Sequence, residues 1–183
     1  MATVTHPRLD SAEYLALQAA AGWRSAVELI GGEAVVTPPS GGQAASAQGE
    51  LFYAVRRWQE TSGDRGLLLQ DVFIRLGDEN YLAPDLAWWA ATRRPMLVRG
   101  ALDVVPDIVA EVLSPATRIN DLGVKKDAYL ASSVRELWLV DPQAATITAV
   151  KPDGRQQTVG RGEQLTSPLL PGFAVDVGRV FRA

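Results

Sequence analysis

Asp85, in the run Tyr81-Leu-Ala-Pro-Asp-Leu-Ala-Trp-Trp-Ala90, and Glu111, in Pro106-Asp-Ile-Val-Ala-Glu-Val-Leu113, are carboxylates set inside stretches that otherwise read as buried strand. An unpaired carboxylate in an apolar interior costs on the order of several kcal/mol, so each calls for a metal ion or a lysine beside it. The segment from Thr117 to Ser132 supplies the lysine. At about 100° per residue, Asp121, Leu122, Lys125, Ala128 and Tyr129 fall in one helical sector of about 120°, whereas Gly123, Asp127 and Ala131 lie opposite. Lys125 therefore points toward the sheet, and Lys126 sits at the border of the stripe. Magnesium is commonly held by one or two carboxylates with waters completing its shell. Asp85 and Glu111 on adjacent strands suit that role, a strand carbonyl can join them, and Lys125 can orient an attacking water or stabilise developing charge. The chemistry outlined is metal-dependent phosphodiester hydrolysis. Each residue alone also has a plainer reading: a strand-end acid that caps a helix or pairs with an arginine, or a lysine whose stem covers apolar surface.

The elements that must position these groups follow from periodicity and turn chemistry. Asp10 to Ala21 reads as a helix ended by Gly22. Val27 to Val36 reads as a hairpin entry turning at Gly31-Gly32 and stopped by Pro38-Pro39. Gln43 to Thr61 repeats apolar residues at helical spacing, with Gly63 past its end. Strands are expected at Gly66 to Leu76, Tyr81 to Ala90 and Pro106 to Leu113, with a turn at Gly77 to Asn80. The Thr117–Ser132 helix and the strand Glu136–Asp141 complete a strand-helix-strand unit, and short strands near Ala145–Lys151 and Gly172–Val177 extend the sheet. The fold class is α/β, a central mixed β-sheet flanked by α-helices.

Composition narrows the chemistry further. With 183 residues, 47% hydrophobic and 21% charged, the chain is expected to form one domain over residues 1–183, residues 1–9 being flexible. It has no cysteine, which excludes disulfides, thiolate metal sites and a cysteine nucleophile. Its one histidine, His6, lies in the polar N-terminal segment, away from any expected site. Carboxylates and lysine must carry any catalysis. A net charge of −3 argues against strong nonspecific grip on nucleic acid. No apolar run approaches the roughly 20 residues of a membrane span, and the N-terminus lacks signal-peptide features; the expected location is the cytoplasm, with no membrane partner.

Together these segments resemble the PD-(D/E)XK nuclease superfamily, and within it a branch of small restriction endonuclease-like proteins. Val27-Glu28-Leu-Ile-Gly-Gly-Glu33 is similar to that branch's N-terminal signature, Pro84-Asp85 to its first carboxylate, and Glu111-Val-Leu-Ser-Pro115 to its second. Asp121 to Tyr129 and Glu136-Leu-Trp-Leu-Val-Asp-Pro142 resemble its helix and following strand. The resemblance implies a restriction-endonuclease-like core, with Asp85 and Glu111 as ligands of Mg2+ (or Mn2+). It places the catalytic lysine at Lys125, since Leu113 stands where the superfamily usually has one, and implies that Glu28 reaches toward the same site. The branch's histidine near the start of the second helix is missing; Gln43 and Ala44 occupy that region, so its role is absent or filled by an amide.

The function expected is a Mg2+-dependent endonuclease acting on nucleic acid, DNA foremost. Arg118 and Lys126 are candidate phosphate contacts, as are Arg93, Arg94 and Arg99, each equally readable as a solvated loop charge. Two alternatives stay open: a non-catalytic nucleic-acid- or protein-binding module that keeps the nuclease fold, and a hydrolase of smaller phosphoesters with a pocket lined by Trp88, Trp89 and Tyr129. A homodimer built on the apolar tail from Pro168 to Phe181 is a further expectation.

Overall fold

The computed structural model describes residues 8–21, 27–36, 40–115 and 117–182; His6, Gly22 and Pro38-Pro39 lie outside them. In chain order the elements are α1 (Ser11–Ala21), β1 (Val27–Ile30), β2 (Glu33–Val36), α2 (Gly42–Ser62), β3 (Leu67–Leu69), β4 (Ile74–Arg75), β5 (Tyr81–Leu82) and β6 (Leu86–Trp89). After these come β7 (Ile108–Val112), α3 (Arg118–Leu122), α4 (Val124–Ala131), β8 (Glu136–Asp141), β9 (Thr146–Val150), β10 (Gln156–Gly160), β11 (Gln164–Thr166), β12 (Ala174–Asp176) and α5 (Val177–Val180).

A six-stranded sheet of order β10-β9-β8-β7-β6-β3 forms the centre. It is mixed because β7 and β8 run parallel while their outer neighbours pair antiparallel. Parallel neighbours need a crossover, which α3 and α4 supply. Side chains alternate along β7, so Ile108, Ala110 and Val112 enter one core with α2 and the C-terminal elements. Val109 and Leu113 enter a second core with Tyr129 of α4 and with Ile30, Ile74 and Leu82 of a smaller sheet, order β2-β1-β5-β4. Glu111 shares the parity of Val109 and faces this second core. The β1–β2 hairpin turns at Gly31 and Gly32, with φ of 58° and 82°, the left-handed pair that a two-residue hairpin of this twist requires.

Several expected elements are interrupted. The run from Gly66 to Leu76 divides into β3 and β4, and that from Tyr81 to Ala90 into β5 and β6, each half belonging to a different sheet. The helix expected over 117–132 breaks at Gly123 (φ −109°, ψ −109°), where a Cβ would lie 2.9 Å from the Ile119 carbonyl oxygen. The break leaves Leu122, expected on the buried stripe, 39% exposed, while Asp121, Lys125 and Tyr129 stay buried. The apolar tail packs on the protein's own core: Leu170, Phe173, Val177 and Val180 join the first core, and Phe173 stacks on Trp138 at 5.8 Å. Trp88 and Trp89 point into opposite cores rather than into one pocket. Leu9 and Arg8, expected to be flexible, bond to the carbonyls of Gly32 and Gly31.

Candidate active site

Strand register brings the two acids together. The β6–β7 pairs run Trp88 with Ile108, Ala87 with Val109 and Leu86 with Ala110, so one step further sets Asp85 across from Glu111. Proline at 84 has no N–H to continue a ladder. The strand diverges there, and the Asp85 carboxylate takes over the pairing by accepting the Val112 N–H through Oδ2 at 2.6 Å. Glu28, in the middle of β1, accepts the Ala83 N–H at 2.8 Å and so ties the smaller sheet to the same break.

Lys125, 4% exposed, is the hub. Its Nζ lies 2.8 Å from Glu111 Oε1, 3.1 Å from Glu28 Oε1 and 3.6 Å from Asp121 Oδ1. Asp121 and Tyr129 stand four residues either side of it on the crossover, the spacing that stacks side chains on one helical face. The Tyr129 hydroxyl donates to Glu111 Oε1 at 2.6 Å. Glu28, Glu111 and Asp121 thus meet at one ammonium with Asp85 beside them, and burial shows in the proton affinities of Asp85, Glu111 and Asp121. Burial pushes the Asp85 carboxyl up to about 6, with the Val112 N–H and Lys125 only partly opposing it. Burial likewise raises Glu111 well above the usual carboxylate range, and raises Asp121. Burial works against the Lys125 charge, but Glu111, Glu28 and Asp121 outweigh it and hold the pKa above that of an ordinary lysine. The surrounding carboxylates therefore favour the charged form of Lys125.

The structure thus brings Glu28, Glu111 and Lys125 into direct contact and sets Asp85 beside them. The arginine candidates fare differently. Arg93 is held by Asp107 at 2.8 Å and by the Val105 carbonyl, and Arg94 reaches the Arg65 carbonyl at 3.4 Å. Arg118 pairs with Asp141 at 2.7 Å yet stays 43% exposed. It lines a cleft of about 400 Å3 with Leu113, Ser114 and the start of α2. Lys126 is half-buried, Arg99 is exposed, and among the described residues neither has an ion pair. Gln43 is exposed, so it is not the amide that reaches the site; Gln48 is, donating to the Asp85 carbonyl at 3.0 Å and to Asp71 at 2.9 Å. Sequence reasoning left Tyr129 in the core and missed Gln48 and Asp71. The four-residue spacing from Lys125 was the available signal for Tyr129; nothing local marked the other two.

Tyr129→Phe removes the shorter of the two bonds to Glu111 Oε1 without changing shape. We expect a loss of about 1–3 kcal/mol in stability, read as a lower thermal midpoint.

The family model for Uma2, described as "Putative restriction endonuclease", matches residues 11–178. The chain belongs to the Uma2 family. Its fold is also that of a crystal structure titled as a "putative nuclease belonging to DUF820" from Anabaena variabilis ATCC 29413: TM-score 0.78 at 18% identity, covering 94% of this chain and 97% of that one. At that identity the likeness establishes a shared fold. No curated protein matches the sequence. The Uma2 match spans every element that carries the cluster, from β1 through α4. No helix among the described residues is long and apolar enough to cross a membrane.

The donor set can be tested against a magnesium ion. Every candidate ligand is a hard carboxylate oxygen, and among the described residues Asp85 Oδ1 and Glu111 Oε2 accept no hydrogen bond. No group of three acids among those residues is arranged to enclose a cation. Asp85 Oδ1 and Glu111 Oε2 are hard oxygens, donors of the kind that Mg2+ takes alongside waters.

Proposed function

We propose that the protein is a Mg2+-dependent endonuclease that hydrolyses phosphodiester bonds of nucleic acid, with DNA as substrate. The observation carrying this reading is the cluster itself: among the described residues Glu28, Glu111 and Asp121 are buried against Lys125 with Asp85 beside them, a set of acids whose charge a divalent cation would offset. Asp85 and Glu111 would hold the ion, Mn2+ being able to replace Mg2+. When bound it supplies an acidified water and neutralises charge on the phosphoryl group.

The protein's own groups do the positioning. Tyr129 and Lys125 both bind Glu111 Oε1, which leaves Oε2 for the cation. Lys125 has three protons and three acceptors; its contact with Asp121, at 3.6 Å, is the longest and the one most readily exchanged for a water or a phosphoryl oxygen. Glu28 holds the ammonium at 3.1 Å from the smaller sheet. The cleft beside Leu113 is lined by Arg118 and by the start of α2, whose N-cap residue Gly41 provides no side-chain cap. Unsatisfied N–H groups and a guanidinium suit a phosphate backbone.

The test is cleavage of labelled plasmid, single-stranded DNA and RNA with Mg2+ or Mn2+, beside Asp85→Ala, Glu111→Ala and Lys125→Ala. Metal-dependent cutting of DNA by the wild type that all three variants lose is the expected result. No cutting of any substrate, with calorimetry detecting no metal binding, would leave a nuclease-fold binding module.

A further inference from the structure

Among the described residues only Asp71 and Ala145 combine a side chain with positive φ. Ala145 lies in the short turn between β8 and β9, whereas Asp71, with φ of 50°, lies in the break between β3 and β4. The left-handed region is costly for a residue with a Cβ and persists where surrounding contacts hold it. Here the holding contact is Gln48. Its side chain leaves the buried face of α2, and its single amide nitrogen donates one proton to Asp71 Oδ1 at 2.9 Å and the other to the Asp85 carbonyl at 3.0 Å. The two acceptors therefore lie within about 6 Å of each other, by the geometry of a shared donor. Asp71 Oδ2 accepts no hydrogen bond among the described residues, and the residue is exposed. Gln48 thus clips an acidic side chain, in an unfavourable backbone conformation, against the open side of the Asp85 loop. One amide thus ties the Asp71 carboxylate to the main chain of Asp85.

We propose that Asp71 is a positioning residue of the site: it acts on the water shell of the cation held by Asp85 and Glu111, and Gln48 sets its place. This rests on the reading of those two acids as cation ligands. Asp71 adds a third carboxylate on the solvent side, where neither Lys125 nor Tyr129 reaches, without closing a three-acid cage. Outer partners of this kind typically change metal affinity by about 10–100-fold.

Asp71→Asn separates charge from structure, because asparagine tolerates the left-handed region and its oxygen still accepts the Gln48 proton. Mn2+ titrated calorimetrically into the full chain is expected to bind Asp71→Asn about tenfold more weakly than wild type. The thermal midpoint in metal-free buffer should not fall. Gln48→Met should weaken Mn2+ binding as well, since it releases Asp71. Asp71→Gly relieves the backbone and should lose affinity like Asp71→Asn. Affinity of Asp71→Asn within about twofold of wild type would overturn the proposal and leave the Asp85–Glu111 reading standing. Absence of Mn2+ binding by the wild type itself would overturn both.

Discussion

Asp85→Asn is expected to abolish cleavage while making the metal-free protein more stable at pH 8. The Asp85 carboxyl is raised from 3.8 to about 6 by burial, so the native state holds its proton more tightly than the unfolded chain does. The sign follows from proton counting. Between about pH 4 and pH 6 the native protein binds more protons, and stability falls as pH rises through that window. Below it the group costs nothing. Above it the native state carries a desolvated charge at a cost of about 3 kcal/mol, at roughly 1.4 kcal/mol per pKa unit. Asparagine keeps an acceptor for the Val112 N–H and removes that cost. In a chain of this length the gain corresponds to a midpoint several degrees higher, at roughly 2–4 °C per kcal/mol. Thermal scans of both proteins in chelator should show the gap at pH 8 and its closure near pH 4. Cleavage should fall by more than about 100-fold, because on the proposed mechanism an amide at 85 replaces one of the two carboxylates that would hold the cation. A variant that is less stable at pH 8 would mean that Asp85 is held by structural bonding and not opposed by burial.

Lys125→Met should have the opposite effect. It removes the ammonium that, among the described residues, contacts Glu28, Glu111 and Asp121, and leaves those acids desolvated and repelling one another. Removing one partner of a buried ion pair costs about 3–5 kcal/mol, a large share of the roughly 5–15 kcal/mol that stabilises a typical domain. The loss should be pH-dependent in a defined direction. Glu111 and Asp121 already have raised pKa values, and without the ammonium they rise further, so protonation near pH 5 should restore much of the stability missing at pH 7.5. Circular-dichroism melts at the two pH values measure this directly. Equal stability of wild type and variant at pH 7.5 would show that the surrounding acids are already neutral in the native protein. In the wild type, magnesium should raise the midpoint by mass action.

The physics of burial made the core of this site legible before any fold was known. A carboxylate in an apolar strand is costly wherever the strand lies, so Asp85 and Glu111 stood out locally. Helical spacing chose Lys125 over Lys126, and the structure agrees: Lys125 is 4% exposed and in contact with Glu111. The strand-helix-strand order around it also followed from period and turn chemistry, and β8 occupies the expected residues from Glu136 to Asp141. What periodicity assigns is a face within one element. It carries no information on which atoms meet across elements.

That second kind of information came only with the tertiary structure. The helix breaks at Gly123, where only a residue without a Cβ fits against the Ile119 carbonyl, and Leu122 turns outward although its helical angle had placed it inside. The apolar tail found its partners in the protein's own core, as Phe173 did on Trp138, so hydrophobicity alone could not reveal whether it faced a second copy or the same chain. Arg93 pairs with Asp107, which sits fully buried just before β7 and accepts from Arg93 and Arg135. Gln48 and Asp71, 23 residues apart, meet through one amide nitrogen. Residue types and local period determined by themselves that this chain would bury two acids and a lysine. Register and long-range packing decided that Asp85 stands across from Glu111, that Glu28 and Asp121 join them around a single ammonium, and that Gln48 brings Asp71 to the open side. Those distances depend on how the sheets and helices close on one another, which no local pattern encodes.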